Sequence, residues 1–132
     1  MGAPGETDLH LLLAGLEPAA RPCAYAVLDH APEGITPAAV VEEDEGTTVV
    51  VEADLARTAG VVVDHEYAWI TLRVHSSLLA VGLLAAVAAR LAGAGIPCNP
   101  LTGFHHDHLL VPVERADEAV VVLRALQREH AG

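Results

Sequence analysis

Residues 69–130 decide the fold. They read WITLRVH (69–75), SSLLAVGLLAAVAARLAGAG (76–95), IPCNPL (96–101), TGFHHD (102–107), HLLVPV (108–113) and, after Glu114, RADEAVVVLRALQREH (115–130). The first segment, preceded by Tyr67-Ala68, is rich in aromatic and β-branched residues and predicts a strand over 67–75. Ser76 or Ser77 is placed to accept from the orphan amides of a first helical turn, and Gly93 and Gly95 permit the left-handed residue that ends a helix. Together they predict a helix over 78–94. Its single charged residue is Arg90, so this helix has no wide solvated face and needs cover on two sides: the sheet and a neighbouring helix. Gly82, in its middle, implies a close helix–helix or helix–strand approach. A strand at 96–101, a hairpin tip at 103–107 and a strand from 108 follow. The last helix, 116–129, is a conventional amphipath with Val120, Leu123 and Leu126 turned inward and Glu118, Arg124, Gln127 and Arg128 facing water. The order is βαββα.

The first half is plainer. DLHLLLAGL (8–16) predicts a short helix capped by Thr7 or Asp8 and stopped near Gly15 and Pro18. CAYAVLD (23–29) reads as a strand, and the Pro- and Gly-containing stretch after it breaks the chain. The β-branched runs 39–44 and 47–54 meet at Glu45-Gly46 as a hairpin. DLARTAG (54–60) supplies about two helical turns, and residues 61–66 lead into the strand at 67. The pattern predicts an α+β, ferredoxin-like layer, an antiparallel sheet with helices on one face. No Gly/Ser or Pro linker separates the halves, so strands are expected to be shared between an incomplete amino-terminal half (1–66) and a fuller carboxy-terminal half (67–132).

The motifs VHSSLLAVGLLAAV (74–87), GIPCN (95–99) and HHDHLLVPV (105–113) resemble the ACT domain, the ligand-sensing module of amino-acid metabolism. More narrowly, they are similar to small stand-alone proteins with two ACT-like halves, which in turn are similar to the regulatory part of aspartate kinases. The chain departs from the family's usual residues at Leu84, where a small polar residue is common, and at Leu101 to Phe104. The resemblance implies a protein that binds and does not catalyse. It places a ligand near the loop after the first strand of the second half and the start of the next strand. Carried onto this sequence, that implicates His75, Ser76, Ser77, Leu78, Ile96 and Asn99. Unpaired amides and the dipole at a helix start suit the carboxylate of an amino acid. The same residues have a plainer reading, in which the serines only cap and Asn99 only turns the chain before Pro100.

Composition narrows the function classes. At 132 residues with 52% hydrophobic and 3% aromatic content, the core must be Ala, Val and Leu, and part of that apolar surface is expected to face a second copy in a homodimer. The net charge is −11 and all seven basic residues are arginine, so no basic surface for nucleic acid or an anionic membrane can be assembled. The amino terminus, MGAPGETDLH, has no signal-peptide pattern and 78–89 is too short to span a bilayer, so a cytoplasmic location is expected. Cys23 and Cys98 form no framework and read as small buried hydrophobes. There is no P-loop, dinucleotide fingerprint, nucleophile elbow or HExxH, hence no expected cofactor.

The run His105-His106-Asp107-His108 is the remaining chemical feature. Strand alternation places His106 and His108 on one face, opposite the core face of Leu109, Val111 and Val113. They are expected to line a ligand pocket or an interface. As metal ligands they would need a third partner, for which His75 is the candidate. Clustered histidines would also respond to pH. The acidic run 42–45 reads as a solvated hairpin tip. The leading expectation is a non-enzymatic regulatory protein, an amino-acid sensor acting by population shift on a partner such as a regulated enzyme. Alternatives are a homodimeric interaction module without a ligand, or a metal protein built on the histidine cluster.

Overall fold

A computed structural model describes residues 5–132; the first four residues of the amino-terminal segment lie outside it. Helix α1 (Leu9–Ala14) comes first, followed by strands β1 (Pro18–Leu28), β2 (Ala39–Glu43) and β3 (Gly46–Glu52) and helix α2 (Ala53–Thr58). Strand β4 (Tyr67–Leu72), helix α3 (Leu83–Gly93), strands β5 (Asn99–Thr102) and β6 (Asp107–Pro112), and helix α4 (Ala116–His130) complete it. The six strands form one antiparallel sheet in the order β2-β3-β1-β4-β6-β5. Outward from the β1–β4 seam, each half repeats the same strand order: first, third, second. The fold is thus the expected α+β ferredoxin-like layer, with two ACT-like halves joined through one sheet.

Strand alternation sorts the side chains. On the helix side, Ala68, Ile70, Leu72, Leu109 and Val111 are buried with Leu12, Val87, Leu91 and Leu123 from α1, α3 and α4 and with Leu16 from the turn after α1. Each fully buried leucine-sized side chain is worth about 1.5–3 kcal/mol, which makes this cluster the main stabilising element. A smaller cluster of Ala26, Val49, Val51, Ala53 and Ala56 lies beneath α2. The first half has irregular chain over 29–38 where the second half has α3. Helix α1 packs on α3 and α4, so the amino-terminal segment covers the second half.

Several expectations are corrected. The first strand begins at Pro18, not 23, and its pairing with β4 shifts register between Ala20 and Ala24. Pro22 has no N–H to give to the ladder with β4, so the chain bulges there. Cys23, on the bulge, is exposed instead of buried, and Cys98 is only partly buried. Strand β4 ends at Leu72, short of His75.

The largest correction concerns α3. It begins at Leu83, not Leu78, and Gly82 is its N-cap with φ +101°, not a mid-helix residue. Ser76 and Ser77 therefore do not cap it. Ser77 instead holds a local turn: its Oγ accepts from Leu79 N at 3.1 Å and its carbonyl from Ala80 N at 3.0 Å. Such side-chain bonds compete with helix, and a left-handed residue at 82 stops propagation toward the amino terminus. The expected close approach at Gly82 is present, because a Cβ there would lie 3.1 Å from Leu9 Cδ2 of α1.

Gly82→Ala is expected to cost about 1–2 kcal/mol from the backbone conformation. Gly93→Ala, in the last turn of α3 with open space around a Cβ, is expected to raise stability by about 0.5–1 kcal/mol. Urea unfolding of the two variants checks the opposite signs.

Candidate functional site

The expected site residues fall into three places. Ser76, Ser77 and Leu78 line a cavity of about 190 Å³ with Gly82, the first turn of α3, Thr102 and Asp107. Asn99 lines a different cavity, of about 250 Å³, on the helix-free face of the sheet. Ile96 is in the core, 3% exposed. His75, His106 and His108 belong to a string of rings that includes His105, with successive centroids 5.8, 6.4 and 6.5 Å apart. Among the described residues no three His, Cys, Asp or Glu side chains converge as a metal site.

The first cavity is built by the chain leaving β4. Residues 5–7 clamp that chain from outside: Glu6 N donates to the His75 carbonyl and Ser77 N to the Glu6 carbonyl, both at 2.9 Å. Gly5 is indispensable to this clamp, since a Cβ there would lie 2.4 Å from Ser76 C and Ser77 N. The amide of Ser77 is thereby occupied, unlike the sequence-based expectation that it faces a ligand. The loop folds back so that residues 76–78 face the start of α3 across the cavity. Residues Leu83, Leu84 and Ala85 form the helix wall, and no side chain caps this end. The first amides of a helix have no intrahelical acceptor, and the dipole makes this wall weakly positive. Asp107, at the start of β6 and paired with Leu72 in register, supplies a carboxylate to the same cavity. An amide-rich wall and a carboxylate in one small space suit a molecule with both an anionic and a cationic group. Leu78, Leu79 and Val81, beside it, are 65%, 85% and 82% exposed.

The helix-free face carries a second set of groups that sequence reasoning missed. Trp69 is 3% exposed although no helix covers it. The Arg21 guanidinium, aimed by the bulge, sits 4.0 Å above its ring and donates to Tyr25 OH at 3.2 Å. Trp69 Nε1 donates to His108 Nδ1 at 3.1 Å, and Thr71 Oγ1 lies 2.9 Å from the same nitrogen. Because an indole N–H only donates, His108 Nδ1 is the acceptor and its proton sits on Nε2. Burial, then the Arg21 charge and then His106, push the His108 pKa below its ordinary value; Asp107 opposes them. His106 lies at the hairpin tip, with Nδ1 3.4 Å from the Val74 carbonyl. The only forewarning of this cluster was the alternation that put His108 opposite the core.

The chain belongs to the ACT-domain family: one ACT-domain profile matches residues 4–69 and a second matches residues 64–125. Among solved structures it is similar to a protein of unknown function from Vibrio cholerae, described as a possible transport protein. The two share 39% identity over 87% of this chain and 92% of that one, with a TM-score of 0.78. A protein from Agrobacterium tumefaciens shares the fold at 16% identity, covering 80% and 84% of the chains with a TM-score of 0.55. The α and β subunits of an aspartokinase share it at 13% identity, covering 83% and 95% with a TM-score of 0.57. No curated protein matches. Both profiles describe ACT domains, which points to a regulatory, ligand-binding role. Among the described residues no helix is long and apolar enough to cross a membrane.

His108 gives a pH dependence of known sign. Its folded pKa lies below the ordinary 6.5, so above that pH both states are neutral and nothing changes. As pH falls through 6.5 the unfolded chain takes up a proton that the folded one resists, and stability is lost. His108→Gln is expected to flatten the difference in unfolding free energy between pH 7.5 and pH 5.5, read by urea titration at both values.

Proposed function

We propose that the chain is a non-enzymatic regulatory protein that senses an α-amino acid in the cavity between residues 76–82 and the start of α3. The observation that carries this reading is the pairing of uncapped helix-start amides with the Asp107 carboxylate across a cavity of about 190 Å³. The amides and the Ser76 hydroxyl suit a ligand carboxylate, and Asp107 with Thr102 suits its ammonium group. His75, His106 and His108 stand on the neighbouring hairpin side, where a change in the 73–78 segment would reach them.

A homodimer belongs to the same proposal. The exposed leucines beside the cavity are the kind of surface a second copy buries, and in that arrangement the ligand lies at an ACT–ACT interface. Ligand binding would then act as a population shift, favouring one packing of the two copies and so altering contact with a regulated enzyme. We divide the chain functionally at residues 66 and 67, with ligand sensing in the second half. A cytoplasmic setting suits the exposed, unpaired thiol of Cys23. The exposed leucines would serve a ligand-free interaction module equally well, and the experiment separates the two.

A thermal-shift screen of the protein against the common amino acids tests the reading. One amino acid at about 100 times its dissociation constant is expected to add about 2.7 kcal/mol of stability. Asp107→Asn should weaken that response at least about ten-fold, a 1.4 kcal/mol loss. Leu79→Glu should convert a dimer to a monomer in light scattering. Silence from every amino acid, with a dimer intact, would leave the interaction module as the function.

A further inference from the structure

A second cavity, beside the exit of β4, carries positive charge in a strongly acidic chain. Of the seven arginines, Arg57, Arg90 and Arg115 are ion-paired and Arg21 sits on Trp69. The remaining three, Arg73, Arg124 and Arg128, form no ion pair among the described residues, yet all three line one cavity of about 390 Å³. Arg73 directly follows β4, while Arg124 and Arg128 are one turn apart on α4. Like charges at that spacing repel, and the third guanidinium adds to it. The helix C-terminus favours a cation in its last turn, which accounts for Arg128 but not for Arg73.

The cavity wall is also held firmly. Gln127 Oε1 accepts from Glu17 N at 3.0 Å, and Gln127 Nε2 donates to the Ala14 carbonyl at 3.1 Å. Arg73 N donates to the Leu16 carbonyl at 3.0 Å. Glu17, on the rim, has φ +43°, the only positive φ outside glycine among the described residues. A non-glycine residue held there costs stability and persists where surrounding bonds over-determine it, as Gln127 does here.

We infer that the cavity bounded by Arg73, Arg124 and Arg128 binds a small oxyanion bearing two or more negative charges. Each guanidinium presents a planar pair of N–H donors, the geometry that matches phosphate and carboxylate oxygens two at a time. Phosphate esters and compact dicarboxylates share this chemistry. The site has no lining residue in common with the amino-acid cavity, so the inference stands independently of that reading.

The test is a thermal-shift and calorimetric titration of the full chain with sodium phosphate, pyrophosphate and malonate, each matched to sodium chloride at equal ionic strength. A saturable rise in midpoint with at least one of them is expected. A response to phosphate or pyrophosphate assigns a phosphate-bearing ligand, and a response to malonate alone a dicarboxylate. The double variant R124Q/R128Q should lose at least ten-fold in affinity and keep any amino-acid response. No rise beyond that of sodium chloride, or an undiminished rise in the double variant, would overturn the inference.

Discussion

The antiparallel pairing of β1 with β4 is the constraint on which the other features depend. Either half alone would leave its first strand as an open edge with unpaired amides and carbonyls. Pairing Pro18 to Ala20 with Leu72 to Ile70, and Ala24 and Tyr25 with Ala68 and Tyr67, closes both edges against each other. The interruption between those two runs matters as much as the runs. It falls where Pro22 has no N–H to donate, and a bulge increases local twist. The sheet curls enough for all six strands to line one cavity on its helix-free face, from Ala39 on one edge to Leu101 on the other. The same bulge swings Arg21 over Trp69.

The halves share a strand order but not a helical complement. The first half has a six-residue helix and irregular chain over 29–38. The second has α3 and α4, and it also takes α1, whose Leu12 and Leu13 join the cluster around Val87, Leu91 and Leu123. The amino-terminal segment therefore acts in the second half. Glu6 bonds the 75–77 loop from outside, Leu9 meets Gly82, and Gln127 reaches back to Ala14 and Glu17. Glu6 and Leu9 thus meet the chain after it leaves β4, between the two cavities, while Gln127 holds the turn that leads into β1.

The sequence showed the fold because its period-two and apolar signals agreed with it. Leu109, Val111 and the strand from Tyr67 marked the sheet, and Ala116 to Glu129 marked an amphipathic helix that the structure extends by one residue. The beginning of α3 was not readable. Leu78 to Val81 are as apolar as the helix itself, and only the left-handed backbone at Gly82, a conformational fact, separates them. Pro22 offered a signal for the bulge, but a single proline does not say whether a strand stops or bends. The residues that gather around each cavity come from distant positions: Asp107 opposite Ser76, and Arg73 opposite Arg124 and Arg128. No spacing rule connects them, because what brings them together is the β4–β6 register and the docking of α4 on the sheet.

Polar groups are distributed so as to leave binding capacity at one end of the molecule. The helix side of the sheet buries no polar or charged side chain among the described residues, and no buried polar side-chain atom lacks a partner. On the helix-free face Arg21, Tyr25, Trp69, Thr71 and His108 bond to or stack on one another. The capacity that remains is at the exit of β4. There an uncapped helix start faces a carboxylate on one side, and three unpaired guanidiniums face an open cavity on the other. Burial of apolar surface supplies stability elsewhere in the chain. At this end an uncapped helix start, a non-glycine residue at positive φ and like charges one turn apart are held at some cost to stability.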